Sequence, residues 1–197
     1  MTAEISQMIC PGCGAPVSIS SRECEFCHGP IVISTFRSVY TMPIANVNNY
    51  ISAYKKRLAT TSKSPELNNS IAMCYLKLGL YAKALQSFEM AISENIENSE
   101  SYFYAAICLL NGKKAFLANR GTIDKIEEYI NAAIMIEPRG IFYYFLAYIK
   151  YDYYFRKHFK VSPMYGDLLK EANTAGYRKE DTELLFSILS VDKPPEF

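Results

Sequence analysis

Four of the six cysteines carry the clearest chemistry in the chain. They stand as Cys10-Pro-Gly-Cys13 and Cys24-Glu-Phe-Cys27, with ten residues between the pairs. Two thiolates three positions apart on a tight turn converge on one ion. A second such turn completes a tetrahedron of sulfur, the arrangement zinc takes in closed structural sites. Pro11 and Gly12 lie inside the first pair, Gly14 follows it, and His28 and Gly29 follow the second. Glycine at such turns lets N–H groups face the sulfurs and temper the charge of four thiolates. The expected ligands are therefore Cys10, Cys13, Cys24 and Cys27, and the expected cofactor is one structural Zn2+. A reduced or disulfide-forming dithiol pair and a sulfur-ligated iron are the competing readings. His28 is read as a bystander. A segment of ~30 residues buries too little surface to fold alone, so the ion supplies its folding energy.

Other reactive groups are sparse. There are two histidines, and His158 lies in Arg156-Lys157-His158-Phe159-Lys160, read as a solvated basic end. Cys74 and Cys108 stand alone in helical segments and read as small core residues. No glycine-rich phosphate-binding signature occurs. The expectation is a protein that is not an enzyme. The 21 basic and 20 acidic residues leave a formal net charge of +1, which argues against a dedicated nucleic-acid or anionic-membrane surface without excluding a local patch. Between the cysteine pairs the single basic residue, Arg22, is flanked by Glu23 and Glu25, the wrong charge for phosphate contacts. No apolar run approaches the ~18 residues of a membrane span. Residues Met1 to Ile9 lack a signal-like apolar stretch. A soluble, cytoplasmic protein is expected.

These residues need elements to hold them. Ala15 to Ser20 and the β-branched Ile31-Val32-Ile33 are predicted strands. Knuckle, strand, knuckle, strand over residues 8–34 resembles a zinc ribbon, with His28 where many ribbons have glycine. Residues 35–64 are read as a linker and first helix. In the helix, Val47, Tyr50, Ile51, Tyr54 and Leu58 recur at spacings of three and four from Ile44 to Thr60. Self-similarity follows at an offset of 34, which places Glu66, Ala72, Cys74 and Leu76 on Glu100, Ala106, Cys108 and Leu110.

The first unit continues through Gly79, Tyr81, Ala84, Phe88 and Ala91, and with Ala72 this resembles the tetratricopeptide repeat (TPR), a pair of antiparallel helices. Asn68 and Ile96 depart from the family's aromatic and proline places. A second unit pairs Ser99 to Leu110 with a helix capped by Thr122, in which Ile126, Ile130, Ala133 and Pro138 match. A polar insertion, Asn111 to Gly121, separates its two helices. A third and weaker unit pairs a long helix from Gly140 to about His158 with Pro163 to Thr174. Glu180 to Leu189 is predicted to cap the array, and 191–197 to be a tail.

The resemblance implies a mainly α fold: a right-handed stack of helical hairpins over 65–190, beside an N-terminal zinc ribbon of short β-strands over 1–34. It also implies a partner-binding groove along the first helices of the hairpins. Carried over, that groove comprises Asn69, Met73 and Lys77; Phe103, Ile107 and Asn111; and Tyr144, Tyr148, Tyr151 and Asp152. Its aromatics suit a protein or peptide partner. The same aromatics could instead be covered by the C-terminal helix or by the helix at 44–60. The function expected is that of a non-catalytic adaptor or scaffold. A nucleic-acid-associated factor using the ribbon, and a structural subunit of a larger complex, are the alternatives. The oligomeric state stays open.

Overall fold

A computed structural model describes residues 7–18, 21–61 and 63–197. Among them the protein is mainly helical, with one small antiparallel sheet. The chain divides into two compact units, residues 1–94 and 95–197. No helix among the described residues is long and apolar enough to cross a membrane.

In the first unit, β1 (Gln7–Ile9) pairs with β2 (Pro16–Ser18), Met8 opposite Val17. Both of these side chains turn inward and are buried. The end of the strand predicted from Ala15 to Ser20, at Ile19 and Ser20, lies outside the described residues. Ile31-Val32-Ile33 is not a strand. Its alternation is real, with Ile31 and Ile33 fully buried and Val32 less so, but apart from the Ile31 N–H, which donates to the Arg22 carbonyl at 2.9 Å, its backbone bonds go to helices. The Tyr54 hydroxyl donates to the Ile31 carbonyl at 3.1 Å. The Ser70 hydroxyl accepts from the Ile33 N–H and lies the same 3.1 Å from its carbonyl. A β-branched run needs its polar groups satisfied, not a sheet in particular.

Four helices follow Ile33 in this unit. The short α1 (Phe36–Tyr40) seats Phe36 and Val39, and α2 (Ile44–Leu58) buries Val47, Tyr50, Ile51 and Tyr54, four of the five residues in the expected stripe. Both pack on α3 (Pro65–Lys77). At the start of α3, Ser64 accepts from the Leu67 N–H and Pro65 occupies the first turn, where a missing N–H costs nothing. Gly79 turns the chain at φ +68°, and the Leu80 N–H returns to the Tyr75 carbonyl. Then α4 (Tyr81–Glu94) lays Ala84, Phe88 and Ala91 against α3 as an antiparallel partner. Ala72 and Cys74 are fully buried in α3.

The second unit repeats the pairing. Helices α5 (Ser99–Leu109) and α6 (Arg120–Ile136) form one hairpin, and α7 (Gly140–Ile149) with α8 (Tyr165–Ala175) another. The cap of α6 is Asn119, whose side chain accepts from the Thr122 N–H at 2.8 Å, so Thr122 is the capped residue and not the cap. The helix predicted from Gly140 to His158 is α-helical to Ile149, widens into a π turn over Lys150–Tyr154, and tightens to 3-10 over Phe155–Lys157. It ends at His158, in the left-handed region at φ 60°. Finally α9 (Lys179–Leu189) packs on α5 and α7, burying Leu185, Phe186, Ile188 and Leu189.

The insertion between α5 and α6 is anchored. It contains a 3-10 turn, Ala115–Leu117, and Ala115 is fully buried. The Phe116 N–H donates to Asp152 Oδ2 at 2.8 Å. Asp152 is itself buried, with the Tyr148 hydroxyl 3.4 Å away and the Arg156 guanidinium bonded to its other oxygen. One buried carboxylate thereby ties the insertion to the π turn.

Candidate metal centre

The two cysteine pairs form matching knuckles. In the first, the Gly14 N–H donates to the Cys10 carbonyl and the Cys10 N–H to Ala15; in the second, the His28 N–H donates to Cys24 and the Cys24 N–H to Gly29. Each knuckle therefore needs a left-handed residue at its fifth place. Gly14 supplies it at φ +79°, and His28 supplies it at φ 55°. A histidine tolerates this conformation better than most side chains, which explains how the second knuckle manages without glycine there. His28 is exposed and is not one of the clustered donors.

The knuckles bring the four thiols together, their sulfur atoms all within 4.8 Å of one another. Cys10 Sγ lies 3.6 Å from Cys27 Sγ, and Cys13 Sγ lies 3.7 Å from Cys24 Sγ. A regular tetrahedron with metal–sulfur bonds of about 2.3 Å has edges of about 3.8 Å. The sulfurs are thus spaced for one four-coordinate ion and are far beyond the ~2.05 Å of a disulfide. Cys10 and Cys24 are buried; Cys13 and Cys27 face solvent.

The thiols do not share one environment. Burial pushes Cys10 up to about 12, against the lowering effect of the Cys13 and Gly12 N–H groups. At Cys24 burial also raises the thiol, but the Phe26 and Cys27 N–H groups and the neighbouring thiols Cys10 and Cys13 outweigh it and bring it down to about 7. Holding four sulfurs in one place as thiolates requires a cation among them.

A residue of α2 completes the surroundings. Tyr50, 2 % exposed, aims its hydroxyl at the backbone of both knuckles. A Cβ built on Gly29 would stand 2.8 Å from Tyr50 Oη and 3.5 Å from Cys27 Sγ; one built on Gly12 would stand 3.5 Å from the same oxygen and 3.3 Å from that sulfur. Burial raises the Tyr50 phenol, and Cys10 and Cys27 raise it further. The hydroxyl therefore stays protonated and can donate toward thiolate. Spacing alone reads Tyr50 as one member of an apolar stripe; that its phenol faces the cysteine knuckles emerges only once α2 is docked.

Most of the predicted groove positions are buried, while Lys77 is half-buried and Asn111 exposed. Met73 and Ile107 are fully buried, and Asn69, Phe103, Tyr144, Tyr148 and Tyr151 are each 7 % exposed or less. In the first unit α1 and α2 pack on α3, the helix that carries Asn69 and Met73. In the second, Phe103 meets Phe142 and Phe145 at 4.8 and 5.7 Å. Tyr144 meets Tyr177 and Phe197 at 5.0 and 5.4 Å, and Tyr148 meets Phe186 at 5.4 Å. Tyr151 meets Tyr165 and Phe197 at 5.2 and 5.5 Å. These positions are core. The physical reason is area: large aromatic faces are better buried against the chain's own α9 and its last residues than left wet.

Compared with protein-family models and with curated proteins, the chain matches none.

Proposed function

We propose that this is a cytoplasmic, non-catalytic adaptor of the TPR kind, in which one structural zinc ion in a ribbon-like knob stabilises helical hairpins that bind a partner protein. The closure of the four-thiol site carries the reading. Four sulfurs from one chain fill a tetrahedron and leave no position for a water or a substrate, so the ion's contribution is folding energy and not hydrolysis. Zinc is proposed because closed four-cysteine structural sites are its common setting and it has no redox chemistry; iron takes the same tetrahedron of sulfur, and metal analysis separates the two. Ala72 buried on α3, and Ala84, Phe88 and Ala91 buried on its packing partner α4, support the TPR comparison.

Metal analysis of the purified chain tests the zinc assignment, with one zinc per chain expected and iron or no metal overturning it. Chelation should remove the ion and unfold the knob. The adaptor assignment is tested by size determination and mass spectrometry of what co-purifies from the source cells. A stoichiometric partner protein that binds again when mixed with the pure chain is expected. Turnover of a small molecule, or salt-sensitive low-micromolar binding to RNA or DNA instead, would overturn it.

A further inference from the structure

Most of the expected groove is buried, and the second unit carries a different apolar surface that stays in solvent. The segment Phe155 to Met164 leaves three large apolar side chains in solvent: Phe155 at 49 %, Phe159 at 54 % and Met164 at 56 % exposed. Together with Val161 and Tyr165 they line a concavity of about 460 Å³. Its basic lining is Lys150, His158 and Lys160, with no carboxylate. We infer that this bowl is the docking site for a short peptide segment of a partner, one that presents a large apolar side chain flanked by Asp or Glu.

The bowl is preformed, which lowers the entropic cost of filling it. Phe155 is stacked on Tyr151 at 5.7 Å and meets the edge of Tyr165 at 5.1 Å. Phe159 meets Tyr153 at 6.3 Å, and its N–H donates to the Tyr154 carbonyl at 2.9 Å. The π turn beneath, Lys150–Tyr154, is of a kind that often accompanies binding sites. Rigid, half-exposed aromatics and a methionine are the side chains that dominate protein interfaces.

Charge selects the occupant. From Phe155 to Met164 there are four basic residues and no acid. Three neighbouring cations already have partners: Lys150 pairs with Glu127 at 2.8 Å, Arg156 with Asp152, and Lys157 lies over the Tyr153 ring. The exposed Lys160 is left to meet a carboxylate. One lysine beside three apolar side chains is too little charge for a phosphate backbone and fits an acidic, apolar peptide.

The inference rests on the interaction reading and can fail separately from it. Random dodecapeptides displayed on phage would be selected against the zinc-loaded full chain, and the enriched sequences measured as labelled peptides by fluorescence anisotropy. Peptides with an aromatic or long aliphatic residue beside Asp or Glu are expected. The exposed double variant Phe159→Ser/Met164→Ser should weaken them at least tenfold while keeping metal content and melting temperature. Lys160→Glu should shift the preference toward basic peptides. Absence of enrichment, enrichment of basic peptides on the unaltered chain, or undiminished binding to the double variant would overturn the proposal. So would binding to phosphatidylglycerol vesicles with no peptide selected, which would make the surface a lipid site. Loss of zinc from the unaltered chain would count against the metal assignment and leave the bowl standing.

Discussion

Replacing Gly29 by alanine should weaken metal binding, and removing one oxygen from α2 should restore it. The new Cβ would stand 2.8 Å from Tyr50 Oη, short of the 3.4 Å of ordinary contact by about 0.6 Å. Gly29 is not in the left-handed region, so the cost is this collision and not backbone strain. Tyr50 cannot swing aside, because it is 2 % exposed and braced edge-on by Tyr54 at 5.7 Å. Overpacking of this sort costs about 1–3 kcal/mol. If the distortion falls on Cys27, that is roughly a 5- to 150-fold loss of zinc affinity. Tyr50→Phe alone removes the hydroxyl near the thiols and should cost about tenfold in affinity, as outer-shell partners of metal ligands do. In the double variant the missing oxygen makes room for the new methyl. Its affinity should exceed that expected from adding the two single losses by about 1–2 kcal/mol, a favourable coupling. Gly12→Ala is a milder comparison: its Cβ would meet the same oxygen at an ordinary 3.5 Å but press on Cys27 Sγ at 3.3 Å, so any loss it shows should not be relieved by Tyr50→Phe. Zinc affinity by chelator competition and stability by urea unfolding, on the unaltered chain and the four variants, supply the numbers. Additivity within about 0.5 kcal/mol would refute the placement of Tyr50 against the second knuckle.

Thiol counting separates the two classes of cysteine: chelation should release four thiols to a colorimetric reagent. Cys74, which burial pushes up to about 12, should react only on unfolding. Reaction of Cys74 in the folded chain would contradict its core position. Asp152→Ala should cost about 2–3 kcal/mol in urea unfolding, because the Phe116 N–H loses its acceptor and Arg156 its partner. It should also speed hydrogen exchange across residues 115–117, and unchanged exchange there would show that the insertion is held otherwise. Lys150→Met should cost about 3 kcal/mol by stranding the Glu127 carboxylate, whose side chain is 18 % exposed. Combining it with Glu127→Leu should bring stability back to within about 1 kcal/mol of the unaltered chain; a double variant as weak as the single would mean that the pair itself, not the stranded charge, matters.

The helices were legible because their signals are local. The stripe in α2 and the small residues of α3 and α4 each follow from a 3.6-residue period and from caps such as Ser64 and Gly79. Local signals also misled. Ile31 to Ile33 alternates as a strand does, yet beyond one bond to Arg22 its partners are Tyr54 and Ser70, far along the chain. Thr122 looks like a cap and is the residue that Asn119 caps. The break from α to π geometry at Lys150 has no marker in sequence, since neither proline nor glycine stands there.

The sequence by itself determined the four ligands and the helical character of the rest, because thiol spacing on a turn and apolar periodicity on a helix are set within a few residues. Only the tertiary structure decided which surfaces stay wet. Tyr144, Tyr148 and Tyr151 vanish beneath Phe186, Tyr165 and Phe197, while Phe155 and Phe159, of the same residue class, remain half exposed. Burial depends on what else in the chain arrives at a face, and no spacing along a single helix contains that information.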